Sequence, residues 1–334
     1  MVAASARPQT GMIAPFDPFR HLGPVVELIG LTFAGELGPG ARHTLRRMQR
    51  VVRWRGLGLW RTETGLLGAP GFVWLEGDRR VVGNVSLRRA ASPGGWIIGN
   101  VAVHPNWQGR GIGQALVEAA VEMAAERGGA WMGLEVRETN SAARHLYEGM
   151  GFEPVGTMLE LIQPAGSPWP RTQPATIPLR QARAADSGTL YRLAQEGLSR
   201  PHRETLEVRP SLYRAGWEAR LDGWLAGYRE DWWVVEEEEE EAQVVGALRV
   251  NSRWPARWHW LEVLVRQERL DDLGPPLAAA GLAALSHRQP WEVTTVLPGP
   301  REALEPAFVA AGFRRLRHLI QMRLILGQRV RVVG

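Results

Sequence analysis

Four features between residues 97 and 152 could do chemistry. The first is Gln108-Gly-Arg-Gly-Ile-Gly113, which follows the apolar run ending at Val103 and opens into an Ala-rich segment. Glycines at 109, 111 and 113 let a backbone approach a ligand without Cβ atoms in the way. The N–H groups and positive dipole end of a helix that starts there suit a phosphate, and Arg110 adds charge. The second feature is Glu135. It shares a strand face with Gly133 and Arg137, opposite Met132, Leu134 and Val136. A carboxylate inside a mostly buried sheet is costly unless it is paired or used. Glu135 is therefore read either as a general base or as half of a salt bridge to one of many arginines. The third and fourth are Asn140 and Tyr147, which share one helix face with Ala143. Tyr147, with an ordinary pKa of about 10, is read either as a positioned proton donor or as a packing residue. A dinucleotide loop is excluded, because the glycine spacing is not G-x-G-x-x-G and no acidic residue ends the next strand in the required way.

The elements that must hold these residues follow from the pattern. Strands are expected at Ile97–Val103 and Trp131–Arg137, with a long helix over Gly113–Arg127 between them. A short helix opens at Asn140 or Ser141, either a good cap, and Gly149 and Gly151 stop it. Upstream lie a helical region, Pro24 to Arg55, and a strand–turn–strand pair, 72–76 and 81–87.

The same order recurs later in the chain. Val81-Val-Gly-Asn-Val matches Val244-Val-Gly-Ala-Leu, Asn100-Val-Ala-Val103 matches Glu262-Val-Leu-Val265, and Leu146–Phe152 matches Ala307–Phe313. Offsets this steady indicate duplication. Between the copies, Pro164, Pro168, Pro170, Pro174 and Pro178 mark a stiff extended connection. The expected organisation is residues 1–163, a linker 164–178, and residues 179–334. Each half reads as a mixed-sheet α/β domain, its sheet mostly antiparallel and flanked by helices.

The chain has 334 residues and no cysteine, so disulfides, thiolate metal sites and cysteine nucleophiles are excluded. All 40 basic residues are arginine, so no lysine can act as base or Schiff-base nucleophile. Arginine spread along the whole chain reads as coding bias. Arg42, Arg46, Arg47, Arg50, Arg53 and Arg55 are the best case for a nucleic-acid surface, a reading the even spread disfavours. No apolar leader and no stretch long enough to span a membrane is present, so a cytoplasmic protein without a membrane partner is expected. Six glutamates at 236–241 read as a solvated hairpin tip, and Trp254, Trp258 and Trp260 as sheet packing in preference to a binding platform.

Residues 97–156 resemble the GNAT superfamily of acetyl-CoA-dependent N-acetyltransferases. Gln108-Gly-Arg-Gly-Ile-Gly113 is similar to its Gln/Arg-x-x-Gly-x-Gly/Ala pyrophosphate loop, and Asn140…Leu146-Tyr-Glu-x-x-Gly-Phe152 to its second signature. Leu134-Glu-Val-Arg with Tyr147 looks most like the branch that acetylates protein N-terminal amines, including those of ribosomal proteins. The resemblance implies two tandem GNAT-like domains and direct transfer of an acetyl group to a primary amine, on a small molecule or a peptide N-terminus. It implies Glu135 as general base and Tyr147 as general acid. Acetyl-CoA would lie against Val101, Ala102, Val103, Gln108, Gly109, Arg110, Gly111, Ile112, Gly113, Asn140 and Tyr147, with no metal. The family's frequent acidic residue on the first core strand is Asn100 here, which leaves open whether Glu135 or a water held by Asn100 accepts the proton.

Aligning Phe313 with Phe152 puts Phe308, Arg301 and Val296 at the positions of Tyr147, Asn140 and Glu135. The loop becomes Leu270-Asp-Asp-Leu-Gly-Pro-Pro276, whose aspartates repel phosphate and whose prolines lack N–H donors. The second half is expected to be a decayed copy, structural or acceptor-binding, in a monomer or homodimer. The rival reading is a non-catalytic acyl-CoA sensor or interaction protein.

Overall fold

Alternation and turn chemistry set the elements. The structure, a computed structural model, describes residues 11–33, 38–53, 70–77, 79–167, 177–237 and 243–328. The chain runs through β1 (Met12–Pro15), α1 (Pro18–Thr32), α2 (Pro39–Arg53), β2 (Gly71–Glu76), β3 (Arg80–Arg89) and β4 (Gly95–Val103). Then come α3 (Ile112–Glu126), β5 (Trp131–Arg137), α4 (Ser141–Gly149) and β6 (Glu153–Gln163). The later part holds β7 (Leu179–Gln181), α5 (Ser187–Gln195), α6 (Arg200–Thr205), α7 (Trp217–Leu225), β8 (Tyr228–Glu237), β9 (Gln243–Arg253) and β10 (Trp258–Val265). It closes with α8 (Leu270–Ser286), β11 (Glu292–Pro298), α9 (Glu305–Ala310) and β12 (Arg314–Ile325). The expected order of strands and helices is present in both halves. β1 and β7 are too short to show a period and lie outside the expected set. Pro168, Pro170 and Pro174, residues 238–241 of the glutamate run and Arg55 fall outside the described residues.

The chain forms two compact units. One comprises Met1–Leu37, Ala41–Pro154 and Gln321–Gly334, the other Gly38–Gly40 and Val155–Ile320. The first unit orders its strands β1-β2-β3-β4-β5, with the end of β12 next. All its recorded pairs are antiparallel except β4 with β5. The second orders the start of β12, then β6-β11-β10-β9-β8-β7, and its parallel pair is β10 with β11. The sequence places the break in the Pro-rich segment. The compact units instead divide within β6 and within β12, so most of β6 belongs to the second unit and the end of β12 to the first.

One seat positions the functional helix. Along α3 the buried residues are Ile112, Leu116, Val117, Ala120, Val121 and Ala124, a single apolar stripe. The stripe lands on Gly83 of β3, where a Cβ would stand 2.9 Å from both Ile112 Cγ2 and Leu116 Cδ1. The repeat supplies the same seat in the second unit. Gly246 would place a Cβ 3.0 Å from Leu277 Cδ1 of α8. This is the physical content of the recurring Val-Val-Gly: a side chain there would lift the helix off its sheet. Gly83→Val should therefore destabilise the fold by about 1–3 kcal/mol through overpacking, read as a lower urea midpoint at unchanged m. An unchanged midpoint would mean that α3 is not seated at Gly83.

Candidate active site

β4 and β5 begin as parallel neighbours at Gly95–Trp131, Trp96–Met132 and Ile97–Gly133, and no later pair is recorded. A bulge lies at the point of parting. Leu87 pairs with Ile98 and Val85 with Val101, so Ser86 alone faces both Gly99 and Asn100. The Ser86 hydroxyl accepts the Asn100 N–H at 3.0 Å, and a Cβ on Gly99 would meet that oxygen at 2.8 Å. The bulge bends β4 away while it stays bonded to β3. His104 N–H donates to the Val82 carbonyl at 2.8 Å. By the alternation of an antiparallel ladder, Ala102 then spends its backbone on Asn84, and Val101 and Val103 turn theirs to the open edge. Of the three residues expected to line the cofactor, the middle one is committed to the sheet.

The loop after β4 is braced by its own side chains. His104 stacks edge-on against Trp107 at 4.9 Å, and its Nδ1 accepts the Asn106 N–H. Arg80 lies over the Trp107 ring at 4.7 Å, and Arg110 donates to the Asn106 carbonyl at 3.1 Å. Gln108, expected to touch the cofactor, gives its side-chain amide to the Val103 carbonyl at 3.1 Å and so pins the loop to its strand. Gly109 and Gly111 hold φ of +75° and +76°, a region that L side chains rarely adopt. Gly111 is the N-cap of α3 and makes no side-chain capping bond. The N–H groups of Ile112, Gly113 and Gln114 are thus the helix's unsatisfied donors. A Cβ at Gly109 or Gly111 would meet nothing within 4 Å. The loop is an open cradle of N–H groups at a helix N-terminus, which fits a pyrophosphate. The Ile112 side chain is buried, so only its N–H can serve.

Gly113 is where the parts meet. A Cβ there would lie 3.8 Å from Leu146 Cδ2 of α4 and 3.8 Å from Val103 Cγ2 of β4. Next to Leu146, Tyr147 is the buried residue of α4, 5% exposed, its ring T-shaped against Phe152 at 5.9 Å. Burial pushes its hydroxyl up to about 12, so it is protonated throughout the neutral range. Asn140 caps α4, with Oδ1 accepting the Ala143 N–H at 3.1 Å, which leaves its Nδ2 as a donor. Glu135 lies on β5 opposite the buried Met132, Leu134 and Val136, as the alternation requires, but it is exposed. The argument that burial forces it to be paired or used therefore falls. Sequence reasoning also missed the bulge, although a glycine inside the β-branched run 97–103 is its ordinary signal. Among the described residues no cluster of His, Asp and Glu could hold a metal.

The second unit keeps the frame and fills the site. β10 and β11 pair through Leu261–Thr295 and no further. Leu270–Pro276, expected as a loop, is instead the opening of α8, which follows a 3-10 turn directly. No glycine cradle separates strand from helix. Gly274 is buried, and a Cβ there would overlap Leu304. Phe308 stands against Phe313 as Tyr147 does against Phe152. Arg301, at the position of Asn140, is buried and donates to the Leu193 and Ala194 carbonyls at 2.7 and 2.8 Å. Glu262, at the position of Asn100, is buried and accepts from Arg249 at 3.2 Å and from the Tyr213 hydroxyl at 3.4 Å. Arg249 also donates to Glu230 at 2.8 Å.

The sequence model of the Acetyltransferase (GNAT) family matches residues 44–152. The [ribosomal protein bS18]-alanine N-acetyltransferase of Escherichia coli (strain K12) is 47% identical over 53 residues, 16% of this chain and 36% of that protein. The chain thus spans about a third of that curated relative's length. A solved GCN5-related N-acetyltransferase from Sphaerobacter thermophilus superposes with a TM-score of 0.64 at 19% identity, over 96% of this chain and 97% of that one. A tandem GNAT protein from the clavulanic acid biosynthesis pathway superposes with a TM-score of 0.56 at 16% identity, over 96% and 100%. These likenesses show that the fold is that of GNAT proteins, tandem ones included.

The cradle makes a quantitative prediction. Gly111→Val places a branched side chain at φ +76° and a methyl pair where the anion would sit. Each hydrogen bond to a charged acceptor contributes about 1.5–3 kcal/mol, so the loss of several should abolish acetyl-CoA binding. Because Gly274 is buried, Asp271→Ala, at an exposed position of α8, is the control for the second unit, and it should leave one acetyl-CoA bound per chain. Calorimetry reads both. Two molecules bound by the wild type, or residual binding in Gly111→Val, would overturn the assignment.

Proposed function

We infer that this chain transfers an acetyl group from acetyl-CoA to a primary amine, at one site, in the first unit, where residues 44–152 match the sequence model of the Acetyltransferase (GNAT) family. The observation that carries the reading is the conjunction at Gly113. The N–H cradle, the free edge of β4 and the helix bearing Tyr147 converge there. The N–H groups of Ile112, Gly113 and Gln114, with Arg110, would hold the pyrophosphate. The open-edge backbone of Val101, the Val103 N–H and the Asn140 Nδ2 would hold the pantetheine arm. Acetyl-CoA supplies an activated thioester carbonyl.

The chain's own residues supply the rest. An ammonium must lose its proton before it can attack, and Glu135, the carboxylate of β5, is the proposed acceptor, directly or through water. The N–H groups at the open edge of β4 offer donors for charge developing on the carbonyl oxygen. Tyr147, kept neutral by burial, gives its proton to the departing sulfur. A carboxylate that took up the amine's proton in water would need no burial, which agrees with the exposure of Glu135. The acceptor proposed is a small-molecule amine or a peptide N-terminus, the latter being what the E. coli relative acts on by name. The second unit, with Arg301 and the Glu262 network in the equivalent place, is proposed to have no cofactor site of its own.

Tyr147→Phe should lower turnover by about 10²-fold or more while acetyl-CoA affinity stays nearly constant, measured as coenzyme A release over an amine panel. Because the hydroxyl titrates only near 12, the wild-type alkaline limb should stay flat until the pH approaches that value. Glu135→Gln should flatten the acidic limb. An unchanged rate in the first variant, or an acidic limb with the same midpoint in the second, would remove that residue from the mechanism. Acetyl-CoA binding with no coenzyme A release on any amine would favour the sensor reading.

A further inference from the structure

The second unit carries an aromatic surface that the acetyl-transfer reading does not use. On α7, Trp217, Leu221, Trp224 and Leu225 are all exposed, the tryptophans at 72% and 62%. At 100° per residue these four fall within about 100° of arc, so they form one face of the helix. The opposite side explains why they point outward. Gly223 is buried, and a Cβ there would stand 2.7 Å from the Tyr228 ring. The helix is clamped to β8 by its glycine side. Trp254, in the turn between β9 and β10, faces the same groove at 40% exposure. The sequence reads Trp254, Trp258 and Trp260 alike as packing, and two of them do pack. Trp260 lies under Arg249 at 4.7 Å, and Trp258 lies beside Arg253 at 5.8 Å. Trp254 does not.

The groove between these residues has a volume of about 380 Å³ and is also lined by Arg220, Arg229 and Glu230. That is the size of a small-ligand site. Glu230 is taken up by Arg249, Asn251 and the Trp232 indole N–H, and the rest of the charge around the groove is mostly positive. Asp231 is buried and is the shared partner of three arginines: Arg220 at 3.4 Å, Arg229 at 2.8 Å and Arg288 at 2.6 Å. One carboxylate against three guanidiniums leaves surplus positive charge. Arg229 engages Asp231 through Nε and Arg220 through a single Nη, so both keep further N–H donors. Arg288 is consumed by Asp231 and the Ser252 hydroxyl, at 2.6 Å. Single exposed apolar residues need no explanation. A contiguous tryptophan face bordered by two arginines held in place by a buried aspartate does.

We propose that this groove binds a planar aromatic anion, its ring against Trp217, Trp224 and Trp254 and its phosphate or carboxylate on Arg220 and Arg229. Indole faces favour stacking on flat rings, and guanidinium forks match phosphate and carboxylate geometry. Surplus positive charge disfavours a cation, although tryptophans alone could cage one.

Isothermal titration of the full chain with adenosine monophosphate, and separately with indole-3-acetate, tests the proposal and separates the phosphate source from the carboxylate source. At least one should bind with a dissociation constant below about 1 mM, the weak end of the affinity scale. Adenosine and inorganic phosphate alone should each bind at least tenfold more weakly. Arg220→Gln and Trp224→Ala lie on the solvent side of α7, and each should weaken the bound probe at least tenfold while acetyl-CoA binding is unchanged. Gly111→Val should leave the probe bound. If the probe instead follows Gly111→Val, it sits in the acetyl-CoA cradle and the proposal fails without touching the acetyltransferase reading. No heat with either probe also overturns it. So does a dimer, seen by sedimentation velocity, that Trp224→Ala dissolves while neither probe binds, since a second copy would then be the occupant.

Discussion

β4 leaves β5 after Ile97, and the backbone groups freed by that parting are what the first unit is organised to use. A strand cannot abandon a neighbour in a sheet interior without stranding N–H and C=O groups, each costly to bury unpaired. Here the cost is met by geometry. The bulge against Ser86 keeps β4 bonded to β3, and the freed edge opens beside the N-terminus of α3. Two sets of unsatisfied donors, one from a strand edge and one from a helix end, face the same space. The positive-φ glycines at 109 and 111 extend the second set without adding side chains. A long anionic ligand with an amide-bearing arm answers both.

The second unit shows what the same frame does when that demand is removed. Gly246 seats α8 as Gly83 seats α3, and β10 parts from β11 as β4 does from β5. No glycine loop stands between strand and helix, and buried arginine and glutamate side chains, bonded to one another and to carbonyls of α5, stand at the equivalent positions. Arg249 and Arg301 are satisfied in part by side chains and in part by backbone carbonyls. Removing one partner of such a set would leave a buried charge unpaired, which is why the set persists as a unit. The packing seat, which many side chains share, recurs in both units, whereas the glycine loop, which rests on a few residues, does not.

Much of the site was legible because its signals are local. The glycine spacing at 109, 111 and 113, the Asn140 cap three residues before Ala143, and the stop at Gly149 and Gly151 depend on neighbours within one turn. The alternation of β5 fixed correctly which side of the strand Glu135 occupies. Its exposure was not legible, because that depends on what other elements cover the strand. The side-chain partner of Gln108 was not legible for a similar reason. Its type fits a ligand-binding amide, and in space that amide donates to the Val103 carbonyl.

The sequence by itself determined the periods, the caps, the duplication and the absence of lysine and cysteine chemistry. Each of these is carried by residue type and spacing along the chain. Only the tertiary structure decided where β4 and β5 part, that Tyr147 is buried enough to stay protonated, and that β6 and β12 are shared between compact units. It also decided that α7 turns its tryptophans to solvent. These are contests between segments far apart in sequence, settled by which surfaces a glycine such as Gly83 or Gly223 allows to touch.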